Sequence, residues 1–144
     1  MKVKIKLLRE GASLPAYATD GSAGADLCAL LDSPVTVSPG ETEKIPTGLS
    51  LELPIGYAAF VYARSGSATK RGLAPANKVG VIDSDYRGEI FVAIHNHSKN
   101  PEIIEPGERI AQLVIAPVIH AEFEVSDSLC DTARGEGGFG STGK

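Results

Sequence analysis

Two carboxylates, Asp83 and Asp85, stand two residues apart in the stretch NKVGVIDSDYRGE, Asn77 to Glu89. Apolar Val79, Val81 and Ile82 precede them, and Gly80 and Gly88 bracket them. A carboxylate held beside a water molecule in an apolar setting makes a general base. Tyr86 offers a ring face in the same stretch. The plain alternative is a hairpin with two solvated acids.

Four more polar, glycine-bearing stretches share the chain. SAGADL, Ser22 to Leu27, carries Asp26 among small apolar residues. ARSGSATKRG, Ala63 to Gly72, puts Arg64, Ser65 and Gly66 before a short helix candidate, Gly66–Arg71. Free N–H groups at a helix start favour anions, and an arginine fork suits phosphate oxygens. PGERIAQL, Pro106 to Leu113, reads as a strand on which alternation turns Gln112 away from Ala111 and Leu113. The last stretch, RGEGGFGSTG, sets Phe139 among glycines with Arg134, Ser141 and Thr142 nearby. An aromatic beside hydroxyls and bare backbone amides has the chemistry to hold a nucleotide.

The end of this last stretch, Gly138 to Lys144, also fits the spacing G-x-x-x-x-G-K of a phosphate-binding loop. Such a loop needs a strand before it and a helix after it. The elements argue otherwise. Val3, Ile5 and Leu7 alternate with lysines, Leu49, Leu51 and Leu53 with Ser50 and Glu52, and Ile90, Val92 and Ile94 with Phe91, Ala93 and His95. Ala121, Phe123 and Val125 alternate with Glu122 and Glu124. Period two marks half-buried strands. The breaks SPGE, LPIG, SKNP and EPGE are turn sequences. Many short strands without strand–helix alternation predict an all-β jelly roll or barrel with one short helix. Residues 1–125 form the expected domain. Residues 126–144 lack core periodicity and read as a flexible glycine-rich arm, since five of the eleven residues from Arg134 on are glycine.

Size and charge narrow the function. At 144 residues one domain is expected, and a formal charge of −4 argues against a simple nucleic-acid binder. It leaves room for an anionic small molecule. No apolar run approaches a membrane span, so a cytosolic protein with no membrane partner is expected. Cys28 and Cys130 are expected as thiols. His95 and His97 share a strand face; without a third ligand nearby they read as ordinary histidines rather than a metal pair.

The five stretches, in this order over Asp20 to Gly143, resemble the five motifs of the trimeric dUTPase family (deoxyuridine triphosphate nucleotidohydrolases). GVIDSDYRGE and RGEGGFGSTG are the most specific of them. The resemblance implies a distorted jelly roll and hydrolysis of dUTP to dUMP and diphosphate by attack of water at the α-phosphorus. That activity keeps uracil out of DNA and supplies dUMP for thymidylate synthesis. It implies that Asp83 activates the water and that Asp85 is structural. It makes Asn77, Gly80, Val81 and Ile82 the uracil pocket and sets Tyr86 beneath the deoxyribose. Arg64, Ser65, Gly66 and Gln112 would bind phosphates. Asp26 would meet Mg²⁺ through water. Phe139 would stack on uracil, with Arg134, Gly140, Ser141 and Thr142 on the γ-phosphate. A homotrimer would share its active sites between subunits. Two other readings stand beside this one: a dCTP deaminase on the same fold, and a non-catalytic nucleotide-binding module.

Overall fold

Turns built on glycine set the strand boundaries. A computed structural model describes residues 1–138 of the chain. In SPGE and EPGE the N–H of Glu41 bonds the carbonyl of Ser38 at 3.0 Å, and that of Glu108 bonds Glu105 at 3.1 Å. Gly40 and Gly107 have φ of 78° and 76°. Proline second and a positive-φ glycine third is the chemistry of a type II turn.

Twelve strands follow. They are β1 (Lys4–Leu7), β2 (Ala16–Tyr17), β3 (Ala25–Cys28), β4 (Val35–Val37), β5 (Thr42–Pro46) and β6 (Leu49–Glu52). After them come β7 (Tyr57–Tyr62), β8 (Leu73–Pro75), β9 (Gly80–Ile82), β10 (Phe91–Asn96), β11 (Glu102–Ile104) and β12 (Arg109–Pro117). One wide helical turn, Ser67–Arg71, lies between β7 and β8 and ends on left-handed Gly72. This is the jelly-roll class expected, with its one short helix. No helix among the described residues is long and apolar enough to cross a membrane.

The largest sheet runs β2-β3-β12-β7-β9, every pair antiparallel. A second runs β5-β10-β8, and β1-β6 and β4-β11 form two pairs. Leu27, Val37, Ile45, Leu49, Ile94 and Ile104 fill the space between them, each at 1% exposure or less. Leu49 and Leu51 on β6, with Val92 and Ile94 on β10, point inward as their alternation predicts.

One expected strand does not form. Ala121 to Val125 has no strand partner, and regular pairing stops at Pro117. Ile119, Phe123, Val125 and Leu129 stand almost wholly in solvent. The period-two pattern is real, but a strand needs a neighbour for its backbone groups, and among the described residues none is supplied.

Asn96 closes β10 inside the core with no exposed surface. Its amide donates to the carbonyls of Val37 and Asn100 at 2.9 and 2.8 Å and accepts from the Ser98 N–H at 2.8 Å. It ties β4, β10 and the turn to β11 together. Truncation to alanine removes a partner from the buried Val37 carbonyl and the half-buried Ser98 N–H, while the Asn100 carbonyl belongs to an exposed residue. Asn96→Ala is therefore expected to lower unfolding free energy by about 2 kcal/mol, measured by urea denaturation.

Candidate active site

The sequence-predicted residues fall into two clusters. The first surrounds a cavity of about 290 Å³ whose lining includes Asn77, Gly80, Val81, Ile82, Asp83 and Tyr86. These are the residues expected for a base and sugar pocket. β9 supplies the wall. It pairs with β7 on one side only, Gly80 facing Val61 and Ile82 facing Ala59. As the last strand of its sheet it has N–H and C=O groups left over on the other edge. Gly80 admits the close approach to β7, since a side chain there would press on Val61 and the Asn77 amide. The turn before β9 is tight. Val79 N–H bonds the Asn77 carbonyl at 2.7 Å, and Lys78 sits at a φ of 65°, rare without glycine. Its ammonium reaches the His97 ring at 3.5 Å.

Asp83 lies directly after β9, and the Tyr86 N–H bonds its carbonyl at 3.2 Å. Its carboxylate is exposed, and among the described residues it makes no ion pair or hydrogen bond. A carboxylate in that state is open to bind water. Tyr86 donates its hydroxyl to the Glu89 carbonyl at 3.0 Å and lies over Gly88, where any Cβ would strike the ring. Asp85 is exposed and makes no contact of this kind among the described residues, so nothing in the structure supplies the structural role expected of it.

The second cluster centres on Asp26, 6% exposed on β3. The Arg64 Nε donates to its Oδ1 at 2.8 Å and the Arg109 Nη1 to its Oδ2 at 3.2 Å, with the Gln112 amide at 3.5 Å. The sequence placed Asp26 among small apolar residues; it is instead paired with two guanidinium groups. Arg109 was not expected at all. Strict alternation puts Arg109 on the face of Ala111 and Leu113, opposite Gln112. The β3–β12 register shifts between Arg109 and Ala111. This bulge buries both Ile110 and Ala111 and turns Arg109 to the side of Gln112. Arg64 ends the loop after β7, with Ser65 and Gly66 exposed beside it and the carbonyls of Arg64 and Ser65 bonded to Ala68 and Thr69. Cys28 borders this cluster. Burial, helped by the Asp26 charge, raises its thiol pKa against the opposing pull of Arg109 and Arg64.

The two clusters do not share the cavity: Asp26, Arg64 and Gln112 are absent from its lining. Arg134 lies apart from both, its guanidinium bonded to the Gly137 carbonyl at 2.6 Å. Phe139, Gly140, Ser141 and Thr142 lie outside the described residues. Sequence reading also missed two cavity walls, Lys44 and Phe91. The signal was there for Phe91, an aromatic on the outward side of β10. Cys28 and Cys130 are free thiols, as expected, and His95 and His97 stack edge to face with ring centres 4.4 Å apart. No group of three metal-ligating side chains occurs among the described residues.

Asp26→Ala leaves Arg64 and Arg109 facing each other without their anion. Because Arg109 is largely exposed, the expected loss is moderate, about 1–3 kcal/mol, read from denaturant unfolding.

Comparison with known proteins adds the family. The family model for dUTPase matches residues 10–143. Deoxyuridine 5'-triphosphate nucleotidohydrolase of Desulfitobacterium hafniense is 57% identical over 99% of this chain and 97% of its own. The enzyme of that name from Burkholderia cenocepacia is 51% identical over 100% and 99%. Among solved structures, the dUTPase of Staphylococcus bacteriophage 80alpha, bound to dUpNHpp, superposes with a TM-score of 0.86 at 27% identity over 99% of both chains. The dUTPase of phage phi11, 24% identical with a TM-score of 0.81 over 90% of this chain and 99% of its own, shares the fold and is described with a structural Mg(II) ion. With a matching fold, matching motifs and relatives this similar along their whole length, the chain belongs to the dUTPase family.

Proposed function

We propose that the protein hydrolyses dUTP to dUMP and diphosphate, with Asp83 as the base. The observation that carries the reading is the cavity in which an unpaired carboxylate, Asp83, follows directly on the free edge of β9. A base set against that edge meets backbone donors and acceptors in fixed alternation. Uracil matches one such pattern; cytosine inverts it at two positions and would leave buried groups unpaired, which discriminates strongly. Asn77 adds its amide at the end of the hairpin. The Tyr86 ring packs beneath the deoxyribose and leaves no space for a 2′-hydroxyl.

Asp83 orients a water and takes its proton as the oxygen bonds to the α-phosphorus. The bond from that phosphorus to the bridging oxygen breaks, and diphosphate leaves with the electron pair. Arg64, Ser65, Gly66 and Gln112 hold phosphate oxygens. Asp26 holds the Arg64 guanidinium by its Nε and the Arg109 carbonyl accepts from Nη1 at 3.5 Å, which leaves Nη2 for a phosphate oxygen.

Mg²⁺ fits this donor set in one way. With no protein cage among the described residues, the ion would take its ligands from phosphates and water. Asp26 would reach it only through water at Oδ2, which accepts from Arg109 alone, since Oδ1 already accepts from Arg64 and Gln112. Bound there, the ion would offset phosphate charge.

The separation of the two clusters supports a site shared between copies, in a homotrimer. So does the exposed apolar series Ile119, Phe123, Val125 and Leu129, which one chain leaves uncovered. Residues 126–144 would then be an arm reaching a neighbour, with Phe139 on the base and Arg134, Gly140, Ser141 and Thr142 on the γ-phosphate. An arm that orders on substrate excludes water from the reaction. The two free thiols suit a cytoplasmic setting.

Incubation with dUTP is expected to release diphosphate, and incubation with dCTP to release no ammonia. Asp83→Asn is expected to cut turnover by about 10²- to 10⁴-fold while a non-hydrolysable dUTP analogue still binds; unchanged turnover removes Asp83 from the role. Deletion of Gly135 to Lys144 is expected to abolish most activity and leave a trimer by light scattering, because the glycine-rich sequence of the segment carries no core periodicity. Dissociation to monomers would contradict the arm reading.

A further inference from the structure

Lys44 and Phe91 line the same cavity as Asp83, and neither belongs to the stretches that suggested the function. They come from adjacent strands. Lys44 on β5 pairs with Ala93 on β10, and Phe91 pairs with Pro46. Lys44 and Phe91 are both exposed, on the outer side of a sheet whose inner side carries Ile45, Val92 and Ile94. The Lys44 Nζ sits 4.0 Å from the centre of the Phe91 ring. A cation over a ring face is held by the quadrupole, so a flexible lysine is kept at the cavity wall.

The charges around the cavity give this position meaning. Three charged groups line it among the described residues: Asp83, Glu89 and Lys44. Glu89 is already neutralised, bonded to Arg9 at 2.6 Å and to the Gly48 N–H at 2.8 Å. Asp83 is not. An anionic nucleotide entering the cavity therefore meets Asp83, the lining carboxylate that has no partner among the described residues. Lys44 is the one cation lining that space among those residues.

We infer that Lys44, held on Phe91, is a substrate-binding residue whose ammonium offsets the repulsion between Asp83 and the polyphosphate of the nucleotide. This rests on the dUTP reading above and adds to it a binding group outside the recognised motifs. Lys44 makes no hydrogen bond or ion pair among the described residues, so its charge is available to a ligand. Its effect belongs to binding and encounter. Charge at the rim of a cleft raises the local concentration of an anionic ligand, and salt screens that effect.

The experiment is steady-state dUTP hydrolysis by the full-length protein across a range of ionic strengths, with Lys44→Met, Lys44→Arg and Phe91→Leu. Lys44→Met keeps most of the unbranched apolar stem and removes the charge. It is expected to raise KM at low salt by about three- to tenfold, leave kcat within twofold, and flatten the fall of kcat/KM with salt. Lys44→Arg, which keeps both the charge and the stacking, is expected to retain the wild-type salt dependence. Phe91→Leu frees the ammonium and is expected to shift KM in the same direction by less. Because Lys44 is exposed, the melting temperature of Lys44→Met should match the wild type. Wild-type KM and salt slope in Lys44→Met would overturn the inference and leave dUTP hydrolysis standing. Failure of the wild type to hydrolyse dUTP would overturn both.

Discussion

A carboxylate with almost no access to solvent governs how this fold presents Arg64, Arg109 and Gln112. Asp26 is charged and buried, and burying an isolated charge is far more costly than burying a paired one. The chain answers that cost from three directions: Arg64 from the end of β7, Arg109 and Gln112 from β12, all converging on β3. These are neighbouring strands of the largest sheet, and β12 bonds both of the others along its length. The same contacts that satisfy Asp26 therefore fix where Arg64 points. An arginine held by its Nε on Asp26 and by Nη1 on the Arg109 carbonyl has its guanidinium plane set in advance, an order that a free arginine would lose rotamer entropy to reach.

The cavity beside β9 is governed by a different constraint, the end of a sheet. An edge strand is ordinarily a liability because its open backbone invites another chain. β9 is only three residues long, and its open edge faces a cavity. Shortness limits the hazard, and the cavity gives the edge a use. The hairpin that delivers β9 carries local strain at Lys78, held where its φ is unfavourable by its own N–H bond to the Pro75 carbonyl and by the Val79 N–H bond to the Asn77 carbonyl. Strain of this kind is consistent with a backbone shaped for a ligand rather than for stability alone.

Much of this was legible in the sequence. Alternation located the inward faces of β6 and β10, and proline–glycine pairs marked two turns to the residue. The glycine-bearing stretches named Asn77, Gly80, Asp83 and Tyr86, and these do line one cavity. What could not be read has physical causes. The bulge in β12 adds one residue to a strand, and period-two reasoning then assigns every earlier side chain to the wrong face. Arg109 was lost for that reason. Lys44 reaches the cavity through the pairing of β5 with β10, a contact between residues far apart in sequence that no local pattern encodes. The strand expected at Ala121 to Val125 failed for the converse reason. Its pattern is local, but a strand is completed only by its partner.

Assembly of several copies, as proposed above, would account both for that failure and for the separation of the two clusters. A chain folding alone would be expected to cover Ile119, Phe123 and Val125, since each buried side chain of this size contributes about 1.5–3 kcal/mol. It would also gain nothing from setting the Asp26 cluster apart from the cavity beside β9. Both features would follow if the folding unit and the functional unit differed. A surface left apolar for a second copy would bury its side chains on assembly, and the same assembly would bring the Asp26 cluster of one copy toward the cavity of another. Hydrolysis would then depend on association, so that the reactive carboxylate Asp83 meets its phosphate partners only in the assembled protein.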